Sequence, residues 1–250
     1  MKTIQIFVLG FIAMLSCFKL GAAAPLNLWY ESPASDWVEA LPLGNGRLGA
    51  MVFGNPSVEH IQLNEETVWA GGPNNNINPK AISDLPEIRR LIFSGKYKDA
   101  QDLVTSSVIT RENHGMAYQP VGDIYLIFPK HDNYSDFYRG LDLNSAVAET
   151  TYKVNGVTYQ REYFTSMTDD VVVIRLNASG KGNLSFKVKV NSPLSYSVTA
   201  DSNQIVMKGK SSDMEGLEGK VRFTSKVTVC TDGGRNEVIG DSVLDQYCPK

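Results

Sequence analysis

A glycine-rich stretch is the first part of this sequence whose spacing could carry chemistry. In LPLGNGRLGAMVFG, the glycines Gly44, Gly46 and Gly49 match the G-x-G-x-x-G pattern of dinucleotide-binding turns. That function requires a buried strand before the first glycine and a helix after the last, so that the helix N-terminus faces the pyrophosphate. Here Pro42 would interrupt a central strand, and the apolar run AMVF is too short for the helix. The stretch therefore predicts a turn leading into a strand, not a nucleotide site.

Acidic side chains could supply the general acid and general base of glycoside hydrolysis, which needs two facing carboxyl groups. Neighbours such as Glu65 and Glu66 would point to opposite faces of one strand and could not form that pair by themselves. The favoured interpretation is that the acidic residues are solvated carboxylates of strands and turns. A self-contained hydrolase that uses Glu65 or Asp123 is the weaker alternative. The full set of candidates is Glu65, Glu66, Asp123, Asp169 and Asp170.

Neither metal chemistry nor nucleic-acid binding is favoured by the composition. The histidines His60, His114 and His131 lie far apart and have no cysteine or carboxylate at ligand spacing, so we predict no metal site and no cofactor. The formal net charge of −3 and the pI near 5.7 provide no basic field for nucleic acid and no polybasic membrane patch. Nucleic acid is therefore not an expected partner.

Three stretches combine aromatic rings with amides and a guanidinium, a mixture that suits sugar recognition. Rings stack on the apolar C–H faces of a sugar, and polar groups fix its hydroxyls. An equally favoured interpretation is that Trp37, Trp69 and Tyr118 cover the edge of the domain against a neighbouring domain. The stretches are WVEALPLGNGRLG (37–49), QLNEETVWAGGPNN (62–75) and NHGMAYQPVGD (113–123).

Strand patterns dominate the chain and must position these side chains. Asn155-Gly156, between two β-rich runs, predicts a type I′ hairpin turn. Many short strands with regular turns predict a mainly β protein, a large antiparallel β-sandwich with a short helical insertion at about residues 84–108. The predicted strands are Arg47–Phe53, Glu59–Trp69 and Asp123–Phe128, and then DDVVVIRLNAS, NLSFKVKVNS, NQIVMKGK and VRFTSKVTVC.

The helical insertion is predicted as two short helices. Asp84 is the expected cap, Pro86 suits the first turn, and Gly95 is expected to end the first helix. The expected apolar positions are Ile88, Leu91 and Ile92 in the first helix, and Tyr97, Ala100 and Val104 in the second.

The first residues have the composition of a secretory signal peptide. Lys2 precedes an apolar run, Ile4–Phe18, and small residues follow it before Pro25. This predicts a signal peptide at 1–23, a β-sandwich domain at 24–250, and a secreted or periplasmic protein. The alternative is a lipoprotein anchored to a membrane through Cys17. Whether the two remaining cysteines, Cys230 and Cys248, form a disulfide stays open.

Four stretches, in order between about Leu28 and Leu244, carry a family resemblance. They are LWYESPASDWVEALPLGNGRLGAMVFG, IQLNEETVWAGGP, YQPVGDIYLIF and YRGLDLNSAVAETTYKVNGVTYQREYFTS. Together they resemble the N-terminal domain of glycoside hydrolase family 95, which comprises secreted bacterial α-L-fucosidases. The resemblance implies a large β-sandwich of the kind also seen in family 65 enzymes. In this family the glycine-rich stretch binds no nucleotide.

The family pattern continues into a helical linker and an (α/α)6 barrel, which holds the catalytic carboxylates and asparagines. No barrel position has a counterpart here, so we expect no catalytic residue. After DGGRNEVIGDSVL the sequence changes to DQYCPK, so we expect a C-terminally incomplete domain in a chain truncated before the barrel. A frameshifted fragment and a genuine short product both remain open.

The intact enzyme would hydrolyse terminal α-L-fucose from glycans with inversion: a general acid protonates the leaving oxygen while a base-activated water attacks the opposite face. The expected partners are therefore a fucosylated glycan and the missing catalytic barrel, and the chain alone is expected to be inactive. The alternative is a stand-alone secreted carbohydrate-binding β-sandwich module. The residues expected to bind substrate or to contact the barrel are Asn45, Arg47, Asn64, Glu65, Trp69, Tyr118 and Gln119.

Overall fold

A computed structural model describes residues 26–110, 115–180 and 182–240 of the 250-residue chain, together with the backbone of Val243–Tyr247. The predicted signal peptide, Cys17, His114 and Cys248 lie outside the described residues. Cys230 is exposed. Within the described ranges, every helix is too short or too polar to cross a bilayer.

The described residues fold into three antiparallel sheets, and the largest of them has seven strands. Its spatial order is β14-β15-β10-β5-β4-β3-β2, so β2 and β14 are its edges. Pro42 lies on edge strand β2, the position that tolerates a residue without an amide proton. The strands are β2 Leu41–Gly44, β3 Leu48–Val52, β4 Val58–Glu65, β5 Gly122–Ile127, β10 Ser185–Asn191, β14 Arg235–Ile239 and β15 Val243–Tyr247.

A five-stranded sheet and a three-stranded sheet pack on the seven-stranded sheet. The five-stranded sheet has the order β1-β6-β7-β8-β9, and the three-stranded sheet has the order β11-β12-β13. The strands are β1 Asn27–Tyr30, β6 Ser135–Asp142, β7 Val147–Val154, β8 Val157–Thr165, β9 Val172–Ala178, β11 Ser195–Asp201, β12 Gln204–Lys210 and β13 Arg222–Thr228.

One apolar core joins all three sheets and confirms the predicted antiparallel sandwich. Ile61 of the seven-stranded sheet, Tyr163 of the five-stranded sheet and Ile205 of the three-stranded sheet belong to the same buried cluster. The alternation predicted for LSFKVKV is also present, because Phe186 and Val188 are buried while the side chains between them point outward.

Two predicted turns are confirmed. Asn155 and Gly156 have φ angles of 49° and 80° between β7 and β8, as a type I′ turn requires. The glycine-rich stretch is the β2–β3 hairpin, in which Gly46 has a φ of 93°. A strand, β3, follows it instead of a helix, which agrees with the prediction against a nucleotide site.

The predicted strand Glu59–Trp69 is too long, because β4 ends at Glu65. The Glu65 carboxylate accepts hydrogen bonds from the amide and hydroxyl of Thr67, at 2.8 and 2.5 Å, and these bonds close a turn. Glu66 therefore lies in that turn and not on the strand, so the prediction that Glu65 and Glu66 alternate along one strand was wrong.

The helical insertion is present, with different details. Helix α1 spans Ala81–Phe93, and helix α2 spans Tyr97–Ser107. Asp84 is not the cap: it lies in the first turn, because Asn78 organises the start by accepting hydrogen bonds from Lys80 and Ala81. Pro86 is one turn deeper in the helix than predicted.

The end of α1 was predicted correctly, and its apolar face only in part. Gly95, with a φ of 74°, follows the helix, and its N–H donates to Ile92 O while the Lys96 N–H donates to Leu91 O. This is a Schellman ending. Of the predicted apolar positions, Ile88, Leu91 and Ala100 are buried and Val104 is half-buried. Ile92 and Tyr97, in contrast, are 43% and 70% exposed.

Candidate functional site

Most of the predicted site residues lie together at one end of the seven-stranded sheet. The β2–β3 turn, the end of β4 with its following turn, and the segment that precedes β5 meet there. The loop between β8 and β9 closes the cluster from the five-stranded sheet. These segments are irregular or turn-forming, so each can project a side chain beyond the sheet while the strands fix its origin.

Asn45 holds the β2–β3 turn in place. Its Oδ1 accepts hydrogen bonds from the amides of Arg47 and Leu48, at 3.0 and 2.7 Å. Its Nδ2 donates to Ser166 O at 2.8 Å and to Asp170 Oδ1 at 3.2 Å. All of these bonds lie within the chain, so the Asn45 side chain connects the two sheets and orients Arg47.

Arg47 forms the centre of the cluster, between two carboxylates. Its Nε lies 3.3 Å from Glu65 Oε1, and its Nη1 lies 3.6 Å from Asp170 Oδ2. The Arg47 side chain is 58% exposed, whereas that of Glu65 is 18% exposed. A guanidinium that is fixed by two anions and open to solvent can still donate hydrogen bonds outward.

The Glu65 carboxyl is held in its ionised form. Partial burial alone would raise its pKa, but the hydrogen bonds from Thr67 and then those from Arg47 outweigh burial and bring the pKa below its ordinary value. A carboxylate in this state accepts hydrogen bonds and is a poor general acid near neutral pH.

Trp69 and Tyr118 form an exposed pair of aromatic rings beside the carboxylate. They are joined by an isolated antiparallel bridge, and their ring centroids are 5.2 Å apart at an interplanar angle of 55°. Trp69 Nε1 donates to Glu66 O at 2.8 Å, and the Tyr118 hydroxyl donates to Glu65 O at 3.2 Å. Each polar tip is therefore satisfied, and 45% of Trp69 and 42% of Tyr118 remain exposed.

Asn64 and Gln119 occupy the flanks of this cluster. Asn64 is opposite Gly49 in the β3–β4 register. The Gln119 side chain points toward the segment that precedes β13, where its Oε1 accepts a hydrogen bond from the Ser212 backbone N–H at 3.0 Å. The Gln119 backbone N–H donates to Val68 O. Gln119 therefore joins the turn after β4 to the three-stranded sheet.

The paired glycines of WAGGP have a packing explanation. A Cβ at Gly71 would lie 2.7 Å from the Met116 sulphur, and one at Gly72 would lie 2.4 Å from Lys220 Cγ. The Gly71 backbone also bonds in both directions, from its N–H to Ser212 O and from the Lys220 N–H to its carbonyl. The positive φ of 64° favours glycine at Gly71, and the Lys220 contact favours it at Gly72. The backbone bonds hold the turn beside Trp69 in place.

Glu65 and Asp123, two of the candidate carboxylates, do not face each other. Asp123 pairs with Gln62 in the β4–β5 register and contacts His60 at 2.7 Å. Glu65 lies four residues after the inward-facing Ile61 on β4, so the two side chains are on the same face of the strand. Glu65 and Asp123 therefore project from opposite faces of the sheet. Asp169 accepts a hydrogen bond from the Ser166 hydroxyl at 2.7 Å. Within the described ranges, no three metal-ligating side chains are grouped together.

The remaining predicted aromatic residue lies apart from the ring pair. Trp37 is 53% exposed, and its Nε1 donates to Gln62 Oε1 at 2.9 Å. Gln62 neighbours His60 on the solvent-facing side of β4, where the His60 ring is stacked between Phe53 and Tyr125 with centroid distances of 4.3 and 4.8 Å. This second polar and aromatic surface was not predicted.

Asp170 and Thr67 belong to the cluster but were not among the residues predicted to bind substrate or to contact the barrel; Asp170 was named only as a candidate carboxylate. Asp170 has a φ of 52°, which turns it toward Arg47 from the loop before β9. The run Thr168-Asp169-Asp170 has turn chemistry, which was the available signal for a tight loop. Arg47, the ion-pair partner of Asp170, is however more than 100 residues away in the chain.

Comparison with known proteins shows the family to which the chain belongs. Residues 28–244 match the family model described as glycosyl hydrolase family 65, N-terminal domain. The chain is 39% identical over 190 residues to Alpha-L-fucosidase 2 of Arabidopsis thaliana, covering 74% of this chain and 22% of that protein. It is 30% identical over 240 residues to Probable alpha-fucosidase A of Aspergillus niger, covering 91% and 29%.

A third relative, Probable alpha-fucosidase A of Aspergillus oryzae, is 27% identical over 203 residues, covering 76% of this chain and 27% of that protein. The chain therefore spans less than a third of the length of each of these relatives. The family match extends over nearly all of the described sandwich, from β1 into β15. This chain belongs to the family of glycosyl hydrolase family 65 N-terminal domains.

Proposed function

We propose that this chain is the non-catalytic N-terminal β-sandwich of an α-L-fucosidase of glycoside hydrolase family 95, an enzyme that removes terminal α-L-fucosyl residues from glycans. The names of the three relatives support the substrate class, since each is called a fucosidase. Their greater length supports a division of labour, in which hydrolysis is carried out by polypeptide with no counterpart in these residues.

The chemistry of the described carboxylates supports the non-catalytic role. Glu65 is held ionised by Thr67 and Arg47, and Asp170 is paired with the same guanidinium. Asp123 is on the other face of the sheet, against His60. An inverting hydrolase needs one protonated and one ionised carboxyl group, about 6.5–9.5 Å apart across a sugar. In the described residues, Glu65 is ionised and therefore suited to accept hydrogen bonds instead of donating a proton.

A single observation carries the proposed role of the site: Arg47, open to solvent and fixed by Glu65 and Asp170, lies on the same turn assembly as the exposed Trp69–Tyr118 ring pair. In the complete enzyme this surface forms part of the rim of the sugar pocket. Arg47 donates to fucose hydroxyls and a ring covers an apolar sugar face. The alternative occupant of the same surface is the catalytic domain itself.

A domain exchange tests this proposal. The matched segment of the Arabidopsis relative is replaced by residues 28–244 of this chain, and hydrolysis of 4-nitrophenyl α-L-fucopyranoside is measured. We expect the chimera to hydrolyse the fucoside and the purified 250-residue chain to give no rate above buffer. A folded but inactive chimera would contradict the assignment to fucosidases, and turnover by the chain alone would contradict its non-catalytic role.

The site is tested within the same chimera. We expect Arg47→Ala to lower kcat/KM by roughly tenfold, because a hydrogen bond to a charged group contributes about 1.5–3 kcal/mol. The matched control is Arg90→Ala, since Arg90 also has a 58% exposed side chain paired with a glutamate, on helix α1. Equal kinetics for the two variants would remove Arg47 from the sugar pocket.

The exposed ring pair also favours a second candidate, a stand-alone carbohydrate-binding module. It predicts saturable binding of a fucosylated oligosaccharide by the isolated chain, measured by titration calorimetry, and loss of that binding in Trp69→Ala. The domain proposal predicts no measurable binding without the rest of the enzyme.

Export forms part of the proposal. The apolar run Ile4–Phe18 behind Lys2 supports a signal peptide and a secreted or periplasmic location, and Cys17 supports lipidation as the alternative. Mass spectrometry of the mature N-terminus separates the two: cleavage after Ala22 or Ala23 supports secretion, and a lipidated Cys17 supports anchoring.

A further inference from the structure

A cleft with an apolar floor separates the two smaller sheets, and Arg47, Glu65 and Asp170 of the cluster described above form part of its lining. One wall is strand β9 of the five-stranded sheet, and the other is strand β13 of the three-stranded sheet. We call this space the strand cleft. Its volume is 1710 Å³. The seven-stranded sheet forms its floor, through the core side chains Ile124, Leu126, Phe186 and Val188.

Both walls are sheet edges. In the part of the chain that the structure describes, β9 pairs with β8 alone and β13 pairs with β12 alone. Along such an edge, backbone N–H and C=O groups of alternate residues point outward and form the template for another strand. Neither strand contains a proline that would block pairing. Two unpaired strand edges are suited to pairing with another strand, whereas a small-molecule pocket is lined mainly by side chains.

The side chains of both walls have the pattern of interior strands. On β9, Ile174 and Leu176 are half-buried and pack against the common core, and on β13 Phe223 and Val227 do the same. The residues between them, such as Arg175 and Lys226, are exposed. A strand that carried apolar residues at every second position would complete the burial of these side chains.

We propose that the strand cleft accepts one more β-strand, supplied by the part of the longer relatives that has no counterpart in these residues. The strand pairs with the free edge of β9 or of β13 and fills the space between the five- and three-stranded sheets. Each wall has seven residues, which corresponds to a strand about 23 Å long. The source follows from length, because the matched segments cover only 22–29% of the relatives.

Peptide complementation tests this proposal on the purified 250-residue chain. The probes are fluorescent peptides of about ten residues, the upper end of strand length, tiled along the Arabidopsis relative after its matched segment. Fluorescence anisotropy measures binding, and hydrogen exchange with mass spectrometry locates it. We expect at least one peptide to bind saturably and to slow amide exchange in Val172–Ala178, in Arg222–Thr228, or in both.

A modified peptide and a variant pair separate strand pairing from simple filling of the cleft. N-methylation of alternate residues in the binding peptide removes backbone donors and should abolish binding. Leu176→Lys, which places a charge in the cleft, should weaken binding by roughly tenfold or more, the cost of about 1.4 kcal/mol. Its control is Asn177→Lys, which adds the same charge at an exposed neighbour. If Leu176→Lys unfolds the chain, the N-methylated peptide still distinguishes strand pairing from simple filling of the cleft.

Three outcomes would overturn the proposal. The first is that no peptide binds or protects either edge strand. The second is that the N-methylated peptide binds as well as its parent. The third is that β9 and β13 become protected as the chain concentration rises, with a dimer in sedimentation velocity, which would make a second copy the occupant. None of these outcomes depends on fucoside hydrolysis, so the strand cleft and the proposed function can fail separately.

Discussion

Two arginine–glutamate pairs in this molecule have similar geometry and opposite surroundings. Arg161 and Glu59 lie 3.1 Å apart with their side chains 2% and 0% exposed. Arg47 and Glu65 lie 3.3 Å apart with their side chains 58% and 18% exposed. The distances would assign both pairs the same role. Their surroundings separate a pair that holds the sandwich together from one that can meet a partner.

The buried pair of Arg161 and Glu59 is surrounded by protein groups. Glu59 accepts hydrogen bonds from the Gly54 amide at 2.7 Å and the Tyr163 hydroxyl at 2.6 Å. Arg161 donates to Asn55 O and Pro56 O, and its guanidinium stacks over the Phe128 ring at 4.0 Å. These contacts tie the five-stranded sheet to the turn between β3 and β4. Removal of either Arg161 or Glu59 would leave the other charge in the core without its ion-pair partner.

The exposed pair is open toward solvent. Asp170 can release Arg47 at little cost, because a surface ion pair contributes about 0–1 kcal/mol. The Arg47–Glu65–Asp170 cluster can therefore take up a new partner without loss of the fold. The same chemistry is structural where water is excluded and is available for recognition where water is present.

The sharpest test of this difference is removal of each glutamate in turn. Glu59→Ala leaves Arg161 buried without its carboxylate and should lower the free energy of unfolding by about 3–5 kcal/mol. Glu65→Ala should lower it by less than about 1 kcal/mol. Urea denaturation followed by circular dichroism measures both. Equal losses would show that burial does not distinguish the two pairs.

The buried region should also make the stability of the molecule depend on pH. His131 is buried, with its Nδ1 2.9 Å from the Tyr152 hydroxyl. Burial, and then the nearby Arg161 guanidinium, lowers the pKa of His131 from 6.5 to about 4. The unfolded chain therefore binds a proton in this range before the folded chain does. Stability is lost as the pH falls from about 6.5 to about 4, by up to about 3 kcal/mol.

His131→Gln removes this titration while leaving a polar group near Tyr152. Urea denaturation at pH 7 and at pH 4.5 should show a smaller loss of stability in the variant than in the wild type. Other acidic groups titrate in both proteins, so the difference between them isolates His131. An equal loss in both would show that the buried histidine does not control stability in acid.

A pair of glycines tests how closely the buried region is packed. Gly54 and Gly46 both have a positive φ, of 78° and 93°. A Cβ at Gly54 would lie 3.0 Å from Arg139 Cδ, whereas one at Gly46 would meet nothing within 4 Å. Both alanine variants carry the left-handed backbone cost of about 1–2 kcal/mol, and Gly54→Ala adds a packing cost.

Thermal unfolding should therefore give a lower Tm for Gly54→Ala than for Gly46→Ala, with both below the wild type. Because the two variants share the same residue change and the same sign of φ, the difference measures the space around Gly54. A lower Tm for Gly46→Ala would mean that the exposed turn is more constrained than the buried one.

Local patterns were enough to predict most of the framework. Asn155-Gly156 specifies its turn through backbone angles alone, and LSFKVKV shows the faces of β10 by alternation. The start of α1 was misplaced because Asp84 is a good capping residue, whereas the turn at Asn78 organises that end through its own hydrogen bonds.

The two arginine–glutamate pairs could not be predicted from local sequence. Glu59 lies on an inward-facing position where a hydrophobic pattern would place an aliphatic residue, and its partner Arg161 is 102 residues away. Arg47 was named as a site residue by its type, but Asp170 reaches it only through the packing of two sheets. The sequence therefore indicated which residue types could do chemistry. The fold determines which of these residues are buried and which are exposed to solvent.

The smallest expected effect separates the influences on Glu65. Thr67 precedes Arg47 among the groups that lower its pKa. Thr67→Val removes the hydroxyl donor, and Arg47→Ala removes the guanidinium while both Thr67 donors remain. Both variants should raise the pKa of Glu65 toward its ordinary value, because each removes a group that lowers it. Carbon-detected NMR titration of the Glu65 carboxyl group measures both shifts.

The order of these two shifts decides how the exposed cluster works. A larger shift in Thr67→Val means that the local turn keeps Glu65 ionised, so Arg47 is free to leave it for a ligand without protonating the carboxylate. A larger shift in Arg47→Ala means that the charge of Glu65 depends on the ion pair. Binding of a ligand by Arg47 would then raise the pKa of Glu65 as well. That result would make the exposed pair as interdependent as the buried one and would remove the distinction between them.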